Sequence, residues 1–235
     1  MQYERYKQAK NLSWEVLIQN KVNKLPVKIV PICRSYGIRV RSYQDNAEIL
    51  RKLNLTQMID KTDGFLMYIS GEPVIFYDKR CSGGRQRFTI AHELGHYLLG
   101  HVKPGQVTTI NREPEPGDSP AERQANQFAA RILAPACVLW GLDLHDAKEI
   151  AEACGISKQA AAFRAERMRV LYQRGKFLTA PGTAGVQSVR KFYKSGSLDS
   201  SRARRASSCA SFAICTSPWS PDRAMYKTRS AGFSE

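Results

Sequence analysis

The chain has 235 residues, 43% hydrophobic and 24% charged, proportions that suit one good core with a small second module. No apolar run approaches the ~18 residues of a spanning helix, and the opening MQYERYKQAK lacks the apolar centre of an export signal; this sets membrane function aside and makes a cytoplasmic location the default. The formal charge of +15 favours polyanions without establishing one, and it is uneven, since residues 180–235 hold 9 Lys/Arg against 3 Asp/Glu.

In chain order, the apolar positions between Glu4 and Gln19 are spaced as on an amphipathic helix. A second helix is predicted over Val27–Tyr36, stopped by Gly37. Ile38 to Tyr43 alternates apolar and polar, as a half-buried strand does, and a short helix is expected over Asn46–Leu53. After Asp63-Gly64, the β-favouring runs Phe65–Ile69 and Val74–Tyr77 predict a hairpin joined through Ser70-Gly71-Glu72-Pro73. Ser82-Gly83-Gly84 then introduces a helix whose inward stripe is Phe88, Ala91, Leu94, Gly95 and Leu98, with Gly100 placed to cap its end.

Residues 102–120 are rich in Pro and Gly and read as a surface loop. A helix from Ala121 to about Leu133 follows, ended by Pro135. Ala147 to Phe177 reads as helix, turn, helix, with Ser157 the N-cap of the second. Beyond residue 178 the chain is basic and serine-rich, without sustained periodicity, and is expected to be disordered. Three segments result: a domain of mixed helices and strands (1–135), a helical module (136–178) and a tail (179–235). The six cysteines are scattered and never form Cys-x-x-Cys, so they read as reduced thiols, not as a disulfide frame or a zinc site.

The chemistry concentrates in His92-Glu93-Leu94-Gly95-His96. Residues four apart on a helix project about 40° from one another, so His92 and His96 can reach one ion. Neutral imidazole suits zinc, and a catalytic zinc keeps three protein ligands and an open position. Glu93, at the edge of the same face, can take a proton from the attacking water. Three of the chain's four histidines fall within ten residues, which decorative placement on an amphipathic helix does not explain.

The third ligand is less direct. Gly100 and His101 miss the spacing that would make His101 a ligand, and His101 reads as a capping or surface residue. Glu122 is the alternative, although a first-turn carboxylate is also favoured by the helix dipole alone. Asn126, one turn on, could orient a histidine ligand from behind.

Phe88 to His96, Glu122-x-x-Ala125-Asn126-x-Phe128-Ala129-Ala130 and Leu133-x-Pro135 together resemble the ImmA/IrrE metallo-endopeptidases. The similarity runs from about residue 10 to 177, through Leu25-Pro26-Val27, Gly64-Phe65 and Gly155-Ile156-Ser157. It implies an α+β, zincin-like fold of helices and a short antiparallel sheet. It further implies one zinc on His92, His96 and Glu122, and Glu93 as catalytic base. The implied task is cleavage of a helix-turn-helix repressor, which releases mobile-element or stress genes from repression. The tail has no counterpart in that resemblance.

Substrate can be held along an exposed strand edge, for which a strand of the hairpin is the candidate. Tyr68 and Tyr77 could offer a phenol to the oxyanion or contact substrate, though cross-strand packing is the plainer reading. The helical module could dock DNA through Lys158, Arg164, Arg167, Arg169, Arg174 and Lys176, or dock substrate, or simply cap the core with those cations in solvent. Its second helix opens on Lys158-Gln159 and then Ala160-Ala161-Ala162-Phe163, poor material for reading bases, so nucleic acid is not favoured. The main alternative to a peptidase is a non-catalytic regulator that binds DNA or protein on the same scaffold.

Overall fold

Short-range chemistry sets most element boundaries in the computed structural model, which describes residues 2–103, 110–111 and 119–174. The expected tail, Cys209, Cys215, Lys176 and most of the Pro- and Gly-rich loop lie outside the described residues. Helix α1 spans Gln2–Gln19 and α2 spans Ile29–Ser35; strand β1 (Arg39–Ser42) follows. A short 3-10 turn leads into α3 (Ala47–Lys52), and then comes α4 (Thr56–Lys61). Strands β2 (Thr62–Ile69) and β3 (Glu72–Tyr77) form the hairpin, and α5 (Gly83–Leu98) carries the histidines. A two-residue strand β4 (Ile110–Asn111) precedes α6 (Pro120–Leu133), α7 (Ala136–Gly141), α8 (Ala147–Cys154) and α9 (Lys158–Arg174).

The hairpin turn is tighter than its sequence suggests. Ser70 and Gly71 both have positive φ, 50° and 81°, the geometry of a two-residue type I′ turn, so Glu72 and Pro73 already belong to β3. The strand order is β1-β3-β2-β4. β2 runs antiparallel to β3 and β4, but β1 joins β3 in parallel, so the sheet is mixed and not the antiparallel one expected. β3 is enclosed between β1 and β2 and offers no edge for substrate; of the hairpin, only β2 beyond its pairing with β4 could do so.

The hairpin is buried on both faces. Leu66, Ile75, Tyr68 and Tyr77 pack into the main core beneath α5, with α1, α2 and α6 contributing Val16, Ile32 and Phe128. The alternate residues Phe65, Val74 and Phe76 face a second cluster with Tyr43 and Leu50, joined by Met58 and Ile59 of α4. A third cluster gathers α7, α8 and α9 around Leu139, Ile150 and Met168. Val22, Leu25 and Ile156 touch both that cluster and the main core.

Among the described residues, Cys33, Cys81, Cys137 and Cys154 form no disulfide. Burial pushes the thiols of Cys33, Cys137 and Cys154 up to about 12, which leaves them unreactive. No helix among the described residues is long and apolar enough to cross a membrane.

Candidate metal centre

Helix α5 starts where Ser82 accepts a hydrogen bond from the Arg85 amide. From Thr89 to His96 it is buried all round, because the sheet lies on one side and α6 on the other. The approach to α6 is close at Gly95, where a Cβ would come 3.0 Å from Phe128 Cδ1 and 3.3 Å from Ala125 Cα. That proximity lets a residue on the first turn of α6 reach the histidines. α6 opens on Ser119, whose hydroxyl accepts from the Glu122 amide, with Pro120 in the first turn. Glu122 sits where a capping-box carboxylate would turn back on the helix start; its carboxylate instead faces His92 and His96.

The resulting geometry is tight. His92 Nε2 and His96 Nε2 lie 2.9 Å apart, and each stands 3.1 Å from a Glu122 oxygen. Around a tetrahedral zinc with ligand distances of ~2.0–2.1 Å, ligand atoms sit about 3.3 Å from one another. On this test the three residues fit a metal site, with both histidines buried and Glu122 on the half-open side. Burial alone would raise the Glu122 pKa, but where no ion is bound and the facing imidazole nitrogens carry protons, hydrogen bonds and charge from His92 and His96 outweigh it. The carboxyl is held well below the usual range. Glu122 is thus ready as an anionic donor, and the dipole-only reading of it does not account for its position.

The ring nitrogens behind the site fix which lone pairs face it. His92 Nδ1 lies 2.8 Å from Asn126 Oδ1, so its N–H donates there and Nε2 is left free to bind a metal. Asn126 is thus placed where it could orient His92 from behind.

His96 has its own support, and it comes from the residue set aside in the sequence. His101 Nδ1 lies 3.2 Å from His96 Nδ1 and accepts its proton, while His101 Nε2 donates to Gln124 Oε1 at 3.3 Å. Gln124 Nε2 in turn donates to Arg5 O at 3.1 Å and Gln8 Oε1 at 3.2 Å on α1. Burial, reinforced by the adjacent His96, holds the His101 imidazole below its usual pKa and keeps it neutral, as an acceptor from His96 must be.

The sequence reads His101 as a capping or surface residue, and the end of α5 corrects the surface part of this. Gly100, at φ 71°, donates its amide to Tyr97 O, and the His101 amide donates to His96 O at 3.0 Å. That pair of bonds is a Schellman motif, which brings the residue after the glycine back over the last turn. The signal was available: such a residue packs against the one five positions earlier, and here both are histidine.

Glu93 is wholly buried on α5, near enough to Tyr43 that its charge adds to the burial holding that phenol above its usual range. Tyr68 and Tyr77 lie half-buried on the α5 side of the hairpin, opposite Pro73 and Gly64. Both pack against the main core, and among the described residues no hydrogen bond joins either of them to the triad.

The helical module is fastened to the start of α5. A Cβ on Gly84 would come 3.0 Å from Ser157 N, and Arg87 donates to Cys154 O at 3.1 Å. Gly155, at φ 61°, ends α8, and Ser157 accepts from the Ala160 amide at 3.2 Å to open α9. The cations of α9 are not all in solvent, since Arg164 is only 9% exposed.

No curated protein matches the chain. A family model does, that of the IrrE N-terminal-like domain, across residues 33–166 and therefore over more than half the chain. The match takes in β1, the hairpin, α5 and α6, the elements that assemble the triad, and the chain belongs to the ImmA/IrrE family of metallopeptidases.

Proposed function

We propose that the chain is a zinc-dependent endopeptidase whose substrate is a helix-turn-helix transcriptional repressor. The observation that carries the catalytic reading is the convergence of His92, His96 and Glu122, with Asn126 and His101 fixing the two imidazole tautomers. The donor set, two imidazoles and one carboxylate, suits zinc and leaves room for a fourth ligand. Zinc held there supplies Lewis acidity, which polarises a peptide carbonyl and acidifies water.

The chain's own residues do the rest. Asn126 and His101 keep the Nδ1 protons of His92 and His96 occupied, so both Nε2 lone pairs stay directed at one point. Glu93, excluded from bulk solvent, is the base that takes the proton of the attacking water and returns it to the leaving amine. The repressor substrate rests on family membership. The α8–α9 hairpin is assigned to supporting α5 or docking substrate, because its turn is packed against Gly84 and Arg87.

Incubating zinc-loaded protein with a cognate helix-turn-helix repressor tests the reading. Wild-type protein is expected to give two discrete fragments. Glu93→Gln should keep about one zinc per chain and lose cleavage by at least ~100-fold. Cleavage that persists in Glu93→Gln would overturn the assignment.

A further inference from the structure

The metal centre leaves unused a group of cations at the other end of α6. Arg131, in the last turn of α6, places its guanidinium 4.5 Å over the ring of Tyr6 on α1. Arg167 of α9 donates to the Tyr6 hydroxyl at 2.9 Å. Arg164 of α9, close enough to feel the charges of both, is 9% exposed, and its Nε is buried with no hydrogen-bond partner. Among the described residues, no carboxylate pairs with any of these three arginines. Burial first, and then the charges of Arg131 and Arg167, push the Arg164 pKa down to about 10, still far above neutrality, so its cation persists.

A buried cation with two like charges beside it and no counter-ion is an unfavourable arrangement that a bound anion would relieve. The planar fork of arginine matches the oxygens of a phosphate, and donors arriving from three helices suit a tetrahedral anion better than a planar carboxylate. The Tyr6 hydroxyl, already accepting from Arg167, has its own proton left to donate. With Arg164 only 9% exposed, little of it is open to a duplex backbone. We propose that Tyr6, Arg131, Arg164 and Arg167 form a binding site for one phosphate group carried by a small phosphorylated ligand. The site is separate from the triad and does not depend on the peptidase reading.

Calorimetric titration of the metal-free full chain with inorganic phosphate, and separately with adenosine monophosphate, tests this. Leaving out the metal removes phosphate coordination to an ion as a source of signal. One saturable site is expected with at least one of the two probes. Arg164→Met, which keeps the packed stem, and Arg167→Gln, at an exposed position, should each weaken it by at least about tenfold. Without phosphate, Arg164→Met should unfold no earlier than wild type, because an uncompensated buried charge has gone. The proposal fails if neither probe saturates, or if both variants bind as wild type does. It fails equally if a short DNA duplex displaces phosphate through the same arginines, which would make this a nucleic-acid contact.

Discussion

The proton on His96 Nδ1 has a single acceptor, His101, and that fact assigns His101 a positioning role. Remove the acceptor and the imidazole is free to turn or to change tautomer, so its Nε2 lone pair no longer points steadily at the metal. His101→Ala is therefore expected to weaken zinc binding by ~10–100-fold, as loss of an outer hydrogen bond does elsewhere, and Asn126→Ala should act similarly through His92. Competition with a chelator reads the affinity; far-UV circular dichroism, expected unchanged, separates this from unfolding. Zinc affinity unchanged in both variants would remove the relay from the account. Glu122 and Asn126 were legible because a four-residue spacing on one helix is visible in the chain. His101 asks for more than helix spacing: its signal is the Gly100 cap, whose turn brings the residue five positions after His96 back over the helix end.

At the scale of elements, the metal group exists because α5 and α6 approach closely enough for Glu122 to reach two histidines on the other helix. Gly95 sets that distance, with Phe128 and Ala125 directly against it. Gly95→Val would press two methyl groups into Phe128 and force the helices apart, at a cost of ~1–3 kcal/mol. The more telling effect is on the site, where a shift of ~1 Å moves Glu122 off the zinc ligand geometry. Gly95→Val should thus lose zinc affinity beyond what its denaturation midpoint accounts for, whereas a purely structural cost would leave the folded fraction binding normally. The long elements with a clear period or cap, α5, α6 and the hairpin, could be read from sequence. α4 and α7 could not, since six residues hold under two turns and show no periodicity. The parallel pairing of β1 was equally hidden, because alternation tells which face a residue takes and says nothing of the neighbouring strand.

For the molecule as a whole, the triad joins two helices separated in sequence by the segment from Leu99 to Ser119, and α1 reaches the same site through Gln124. An ion bound there engages groups that come together only in the folded chain, so zinc binding and folding are linked. Saturation at about 100 times the dissociation constant contributes ~2.7 kcal/mol, which for a domain of this size raises the melting temperature by roughly 5–10 °C. Glu122→Gln keeps the shape but gives up the anionic donor, and most of that rise should vanish, with the metal-free melting temperature much less affected. Differential scanning calorimetry of stripped and zinc-loaded protein, wild type beside the variant, makes the comparison. Because the excess stability appears only when all three donors hold the ion, a rise of the same size in Glu122→Gln would mean that zinc binds elsewhere. No rise in wild type would mean that the triad does not hold it.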